Sequence, residues 1–265
     1  MPLFHTNFYA KSLHTLTNLM VTIPAAPRWE TSGLSFDEIY RMDKKYPVLY
    51  LLHGMHEDET SWLRRSNIER YAEEKQVALV IPSVQNSFYT DTKSGLQYFT
   101  YLTEELPRFI RSVFPISARR EDTFIAGLSM GGYGACKAAL SKPEQYAAFA
   151  SLSGAVDIGA VADHISSPDE EAMFRSVFGE PTQVKGGPSD LFVLARNLLE
   201  SGRTPPRAYL SCATEDMLCY GMNQTFIHYL NEIGLPYTYR ETPGGHDWNF
   251  WDPQSRQVLD WLLEE

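Results

Sequence analysis

Residues 123–134 read Thr123-Phe124-Ile125-Ala126-Gly127-Leu128-Ser129-Met130-Gly131-Gly132-Tyr133-Gly134. Thr123–Ala126 has the uncharged pattern of a strand, and Gly127 stops it. Gly132–Leu140 is small and apolar, which suits a tightly packed helix, and Pro143 bars its continuation. Between strand and helix stands Gly127-Leu128-Ser129-Met130-Gly131, a G-x-S-x-G pattern. In that setting the serine occupies a strained turn, and its hydroxyl stands clear of the sheet. The flanking glycines are required because backbone and helix approach too closely for side chains.

Working outward, Pro47–Leu52, Val77–Ile81, Ala147–Leu152, Arg207–Ala213 and Tyr237–Thr242 are further short apolar runs. Strands that are apolar on both faces imply a mostly parallel sheet with helices on each side. Leu102–Phe114, Gly132–Leu140, Gly221–Ile233 and Ser255–Leu263 supply the helices. Thr-rich alternation around Leu13–Ile23 predicts an antiparallel hairpin on the sheet edge. The expected fold is α/β, a single domain over residues 1–265. One connection is too long for a plain crossover. Ala155–Pro206 holds two short helical stretches, Glu170–Phe178 and Leu191–Glu200. Connections of that length are usually functional or disordered. Its amphipathic pieces predict an ordered cap, over about 155–206, above the carboxyl edge of the sheet.

A serine hydroxyl needs a base. Of seven histidines, His5 and His14 lie in the hairpin, His228 on a polar helix face, His164 in the insertion, and His53 precedes the nucleophile. His246, on the loop Pro243-Gly244-Gly245-His246, follows the last strand and reaches the edge where Ser129 must sit. It is the expected base. Asp216, shortly after Arg207–Ala213, is the expected acid, with Glu215 as its rival. Asp247 is too close in sequence to face Nδ1. The order Ser129, Asp216, His246 is that of α/β-hydrolases. An oxyanion hole needs two backbone donors. The amide of Met130 opens the helix, and the amide of Met55, with Gly54 making room, follows the strand Pro47–Leu52. His53 and His56 lack a matching Cys or carboxylate set, so no metal site is expected, and no cofactor is required. None of the three cysteines, Cys136, Cys212 and Cys219, falls within this constellation.

Composition bounds the partners. Hydrophobic residues are 43% and charged residues 21% of the chain, which argues against disorder. With 23 basic against 33 acidic residues the net charge is −10, so phosphate backbones and anionic membranes are repelled. An odd number of cysteines, one in a buried helix, suits a reduced protein. Met1 to Pro27 lacks a basic end followed by an apolar core and a cleavage site. No apolar run is long enough to span a bilayer. The reading is cytoplasmic, with a small-molecule substrate, no nucleic acid and no membrane. The oligomeric state stays open, a homo-oligomer included.

Leu51-Leu52-His53-Gly54-Met55, Ser61-Trp62-Leu63, Phe88-Tyr89-Thr90-Asp91, Gly127–Gly134 and Gly245-His246-Asp247-Trp248 resemble the tributyrin-esterase-type carboxylesterases. These belong to the wider esterase D and S-formylglutathione hydrolase-like α/β hydrolases. The resemblance runs from about Pro47 to the C-terminus and weakens in the insertion. It implies an α/β-hydrolase fold and hydrolysis of short-chain acyl esters by a serine carboxylesterase. Thioester hydrolysis of the S-formylglutathione type, or action on acetyl or feruloyl carbohydrate esters, are the alternatives. S-formylglutathione hydrolases usually carry a cysteine in the loop after the oxyanion strand, and Gly54–Trp62 has none. The resemblance further implies that Trp62, Tyr89, Trp248 and Phe250 line or support the acyl pocket, and that Asp91 orients the nearby loop. Phe174 and Phe178 are expected to limit acyl length from the insertion.

Overall fold

The computed structural model describes residues 1–26, 30–41 and 43–264. Pro27, the end of the N-terminal stretch read above, lies outside them. Eight strands form one sheet: β1 (Leu3–Ala10), β2 (Thr15–Thr22), β3 (Val48–Leu52), β4 (Ala78–Pro82), β5 (Thr123–Leu128), β6 (Ala148–Leu152), β7 (Arg207–Ala213) and β8 (Thr238–Thr242). Their order is β1-β2-β4-β3-β5-β6-β7-β8. Every pairing from β4 to β8 is parallel, and β1 and β2 add antiparallel at one edge. β3, β4, β5 and β6 are buried along their whole length. That is the physical content of the unbroken apolar runs, since helices cover both faces of a parallel sheet. β8, at the far edge, exposes Arg240 and Glu241, charges that discourage pairing with another strand.

The hairpin β1–β2 alternates as expected, with Thr17, Leu19 and Val21 buried. Its turn is fixed by Glu105, which accepts from the amides of Lys11 and Ser12 at 2.6 and 2.8 Å. Glu105 closes a π-helical turn, Tyr101–Glu105, directly before the helix Leu106–Val113. Pro107 explains the irregular turn, because it has no N–H for an α-helical partner.

Two helix expectations need correction. The C-terminal helix runs Trp248–Leu262, not Ser255–Leu263, and contains Pro253. Asp247 caps it by accepting from the amides of Asn249 and Phe250, so a strong N-terminal cap carries the helix across the proline. The insertion holds a further helix, Ile158–Asp163, besides Pro168–Phe178 and Leu191–Glu200. Among the described residues no helix is long and apolar enough to cross a membrane.

The insertion is fastened to the helix Met130–Ser141 by polar bonds. Tyr133 donates from its hydroxyl to the carbonyl of Ser189 at 2.6 Å. Lys137, only 5% exposed, donates from Nζ to the hydroxyls of Thr90 (2.7 Å) and Ser189 (3.2 Å). It also lies over the ring of Phe99. Burial away from water pushes its ammonium down to about 7, although the Asp91 carboxylate pulls the other way.

That burial has a sign that can be measured. Between pH 7 and the ordinary lysine range the unfolded chain is protonated at Lys137 and the folded chain is not. The unfolded state then binds more protons, so stability rises with pH. Urea unfolding of wild type against Lys137→Met should show wild type gaining up to about 1.4 kcal/mol per pH unit above pH 7. A constant difference from pH 7 to 9 would mean that the ammonium keeps its charge in the fold.

Candidate active site

Ser129 joins β5 to the helix Met130–Ser141 with φ 52° and ψ −120°. A non-glycine residue held there costs about 1–3 kcal/mol. Three backbone hydrogen bonds hold the turn. The Ser129 amide donates to Leu152 at 3.0 Å, and its carbonyl accepts from Tyr133 and Ala155, both at 3.1 Å. Gly131 sits where the helix crosses the end of β3, and a Cβ there would lie 2.3 Å from the carbonyl oxygen of Leu52. No side chain fits, and the close crossing carries the loop after β3 up to Ser129.

The structure brings Ser129, His246 and Asp216 together. Nε2 of His246 is 3.0 Å from Oγ of Ser129. Nδ1 is 2.7 Å from Oδ2 of Asp216. An ionised carboxylate only accepts, so Nδ1 carries the proton and Nε2 is free to accept from the serine. The loops after β7 and β8 are tied by Thr214 N to Thr242 O and Glu215 N to Gly244 O, each 3.0 Å. Asp216 is 1% exposed. Burial works against its charge, but the hydrogen bond and charge of His246 and the amide of Cys219 outweigh it, and the carboxyl is held below the ordinary range. Leu218 donates a second amide to the same Oδ1. Glu215, the rival acid, is exposed, and Asp247 is occupied as the helix cap described above.

The amides of Met55 and Met130 have no acceptor among the described residues, and both residues border one cavity with Ser129 and His246. For Met130 this follows from its place at the first turn of a helix, where amides lack an intrahelical partner. The loop below Met55 is held carbonyl by carbonyl. Trp62 donates from Nε1 to Leu52 O at 3.0 Å. Tyr89 donates from its hydroxyl to His53 O at 2.9 Å. His53 donates from Nδ1 to Gly54 O at 2.8 Å and accepts at Nε2 from the Val84 amide at 3.2 Å. Those two bonds fix His53 as the neutral tautomer, and its burial holds the imidazole's pKa below the usual value.

This changes the expected roles of the aromatic residues. Trp62 and Tyr89 are fully buried and border no part of the cavity. The Tyr89 ring packs against Gly134, where a Cβ would fall 2.4 Å from it. Trp248 turns its indole N–H to Glu57 Oε1 at 2.9 Å, and its ring meets Trp62 edge-on. Phe250 is core, and neither it nor Gly54 borders the cavity. Asp91 accepts from the amide and hydroxyl of Thr100 and so anchors a helix start. His53 and His56, set aside as metal ligands, part company: one is buried and the other exposed. Among the described residues one group of ligand-type side chains does converge, Asp216, Cys219 and His246, with one ligand atom of each within 4.8 Å of the others. Two of its members are already bonded to each other.

The cavity over Ser129 has a volume of about 610 Å³. Val161, His164, Ile165, Asp169, Glu170, Met173, Phe174 and Val177 reach it from the insertion. Phe178 does not, and packs instead among Phe88, Tyr133 and Phe174. Met55, Met130, Met173, Met217 and Met222, five of the chain's eight methionines, form much of the wall. Cys219 also borders the cavity, which places a thiol beside the constellation that was expected to hold none. The methionines and Cys219 have no sequence signature, because they are scattered over two loops and three helices.

Residues 37–261 match a family model described as "Putative esterase". An acetyl esterase from Caldicellulosiruptor saccharolyticus is 32% identical over 267 residues, covering 99% of this chain and 98% of that protein. Two Staphylococcus aureus structures superpose over this whole chain. A fluorophosphonate-binding serine hydrolase F has a TM-score of 0.88 at 30% identity, with 99% of its chain covered. An S-formylglutathione hydrolase has a TM-score of 0.84 at 30% identity over 100% of its chain.

On nitrophenyl acetate, Ser129→Ala is expected to lower kcat by roughly 10⁶, because members of such a unit fail together. Asp216→Asn is expected to lower it by about 10⁴ through loss of the correct His246 tautomer, while Glu215→Gln changes little. A larger loss in Glu215→Gln than in Asp216→Asn would reassign the acid.

Proposed function

The chain belongs to this esterase family and is a serine carboxylic ester hydrolase, and from that premise we propose that it removes short acyl groups from neutral alcohols through an acyl-enzyme on Ser129. The observation that carries the reading is the continuous chain Ser129–His246–Asp216 at the floor of a cavity that two unpartnered amides share. Ser129 attacks the ester carbonyl while Nε2 of His246 takes its proton. The amides of Met55 and Met130 receive the oxyanion, where electrostatic preorganisation contributes most. His246 next protonates the leaving alcohol, then draws a proton from water, which releases the acid and restores Ser129. Asp216 keeps the imidazole oriented and stabilises its cation. No cofactor enters these steps. The insertion acts as a cap whose side chains wall the acyl group, and three free cysteines fit a reducing, cytoplasmic setting.

The thioesterase alternative differs in the charge of its substrate. The cavity wall carries Asp169 and Glu170 and, among the described residues, no lysine or arginine. A glutathione moiety brings two carboxylates, which such a wall repels. The wall therefore favours neutral leaving groups, in keeping with the acetyl esterase relative, over S-formylglutathione.

Two measurements test the reading. kcat/KM for nitrophenyl and sugar acetates should exceed that for S-formylglutathione, and the reverse order would transfer the assignment to the thioester. Across nitrophenyl acetate to octanoate, Phe174→Ala should move the preference toward longer chains, by roughly 1–3 kcal/mol in kcat/KM for each methylene newly accommodated. Phe178→Ala should leave the profile in place and cost about 3–5 kcal/mol of stability. A longer-chain preference produced by Phe178→Ala alone would move the wall of the pocket to that residue.

A further inference from the structure

Glu57 takes no part in the chemistry above, yet its carboxylate joins the two halves of the site. Oε2 accepts from the Gly54 amide at 3.0 Å. Oε1 accepts from Nε1 of Trp248 at 2.9 Å. Gly54 lies one residue before Met55. Trp248 lies two residues after His246 and opens the C-terminal helix. One side chain therefore spans the loop that presents an oxyanion donor and the segment that presents the base.

The geometry of the loop shows what this bond controls. The peptide linking Gly54 to Met55 is planar, so its C=O and its N–H point in opposite directions. Its C=O is fixed by Nδ1–H of His53. The preceding peptide is fixed by Tyr89 at its C=O and by Glu57 at its N–H. Without Glu57 each of the two peptides keeps only the bond at its C=O, so both can tilt about those carbonyls and about the Gly54 backbone, which has no Cβ to resist them. The Met55 N–H would then swing away from Ser129.

We propose that Glu57 is a positioning residue, whose carboxylate sets the orientation of the Met55 amide and locks the oxyanion loop to the His246 segment. The role rests on the oxyanion assignment of Met55 made above. A carboxylate suits it because two N–H donors converge there, and an ionised carboxylate offers two acceptors and no donor. A glutamine offers one acceptor and a clashing NH₂. The choice has an electrostatic cost, since a negative charge near the forming oxyanion opposes it. If Glu57 had no positioning role, removing its charge would leave turnover unchanged or raise it.

The experiment compares Glu57→Gln, Trp248→Phe and Ser129→Ala with wild type in steady-state hydrolysis of nitrophenyl acetate, with the thermal midpoint of each. Glu57→Gln is expected to lose roughly 10–100-fold in kcat, less than outright removal of an oxyanion donor. Its KM should stay within about twofold, because the Met55 amide acts on the transition state and not on bound ester. Trp248→Phe keeps the Gly54 bond and is expected to lose roughly 2–10-fold in kcat, since it frees only one end of the clamp. A kcat that is unchanged or raised in Glu57→Gln, or a loss lying wholly in KM, overturns the positioning role. If Glu57→Gln shows no folding transition, Trp248→Phe decides, and wild-type kcat there overturns it. A wild-type Glu57→Gln beside an inactive Ser129→Ala refutes this role alone. Activity surviving in Ser129→Ala refutes the reading beneath it, and this role with it.

Discussion

Everything in the site depends on one crowded crossing, where the helix after Ser129 passes over the end of β3 at Gly131. The contact is backbone against backbone, and it sets two distances at once. It forces Ser129 into a positive φ, and it lifts the loop after β3 beside that serine. The strain at Ser129 persists because three backbone hydrogen bonds and the buried sheet over-determine the turn. A strained residue of this kind keeps its hydroxyl in place before substrate arrives, so no reorganisation is charged to the reaction itself.

The second half of the site is held by polar bonds between buried groups. Leu52, His53 and Gly54 each have a carbonyl capped by a side chain: Trp62, Tyr89 and His53. In a water-free interior an unmade bond of this type costs about 1–3 kcal/mol, so each aromatic donor is retained for its N–H or O–H as much as for its surface. The same logic holds at Asp216, where two amides and an imidazole keep a buried carboxyl charged. The loops bearing Asp216 and His246 are then stitched by main-chain bonds, which leaves the Ser129–His246 contact as the joint between two preassembled parts.

The sheet was legible in the sequence because burial on both faces writes itself as unbroken apolar runs, from Val48–Leu52 to Arg207–Ala213. Ser129, His246 and Asp216 could be picked out because strand ends, glycines and chain order converge on one edge, and the structure puts those three side chains in hydrogen-bond contact. The aromatic residues were harder. A tryptophan near a catalytic loop reads equally as pocket wall or as support, and only the direction of its N–H separates the two. Trp62, Tyr89 and Trp248 all turn that polar atom toward the loop after β3. Phe174 and Phe178, one helical turn apart, divide between cavity and core, a distinction of side-chain direction that spacing does not carry. Pro253 hid the start of the last helix, because the cap at Asp247 that overrides it lies six residues upstream.

The methionine wall bears on how substrate meets the enzyme. Met217 is 95% exposed and Leu218 67% exposed at the mouth of the cavity. An exposed methionine changes rotamer in picoseconds to nanoseconds, while turnover in enzymes commonly takes on the order of 0.1 s. An ester approaching Ser129 therefore meets an entrance averaged over very many conformations during each catalytic cycle. Admission is set by that average aperture and by the polarizable thioethers that shape it, whereas the fixed geometry begins deeper down, at the amides and the hydroxyl. The molecule is soft where it sorts and rigid where it reacts.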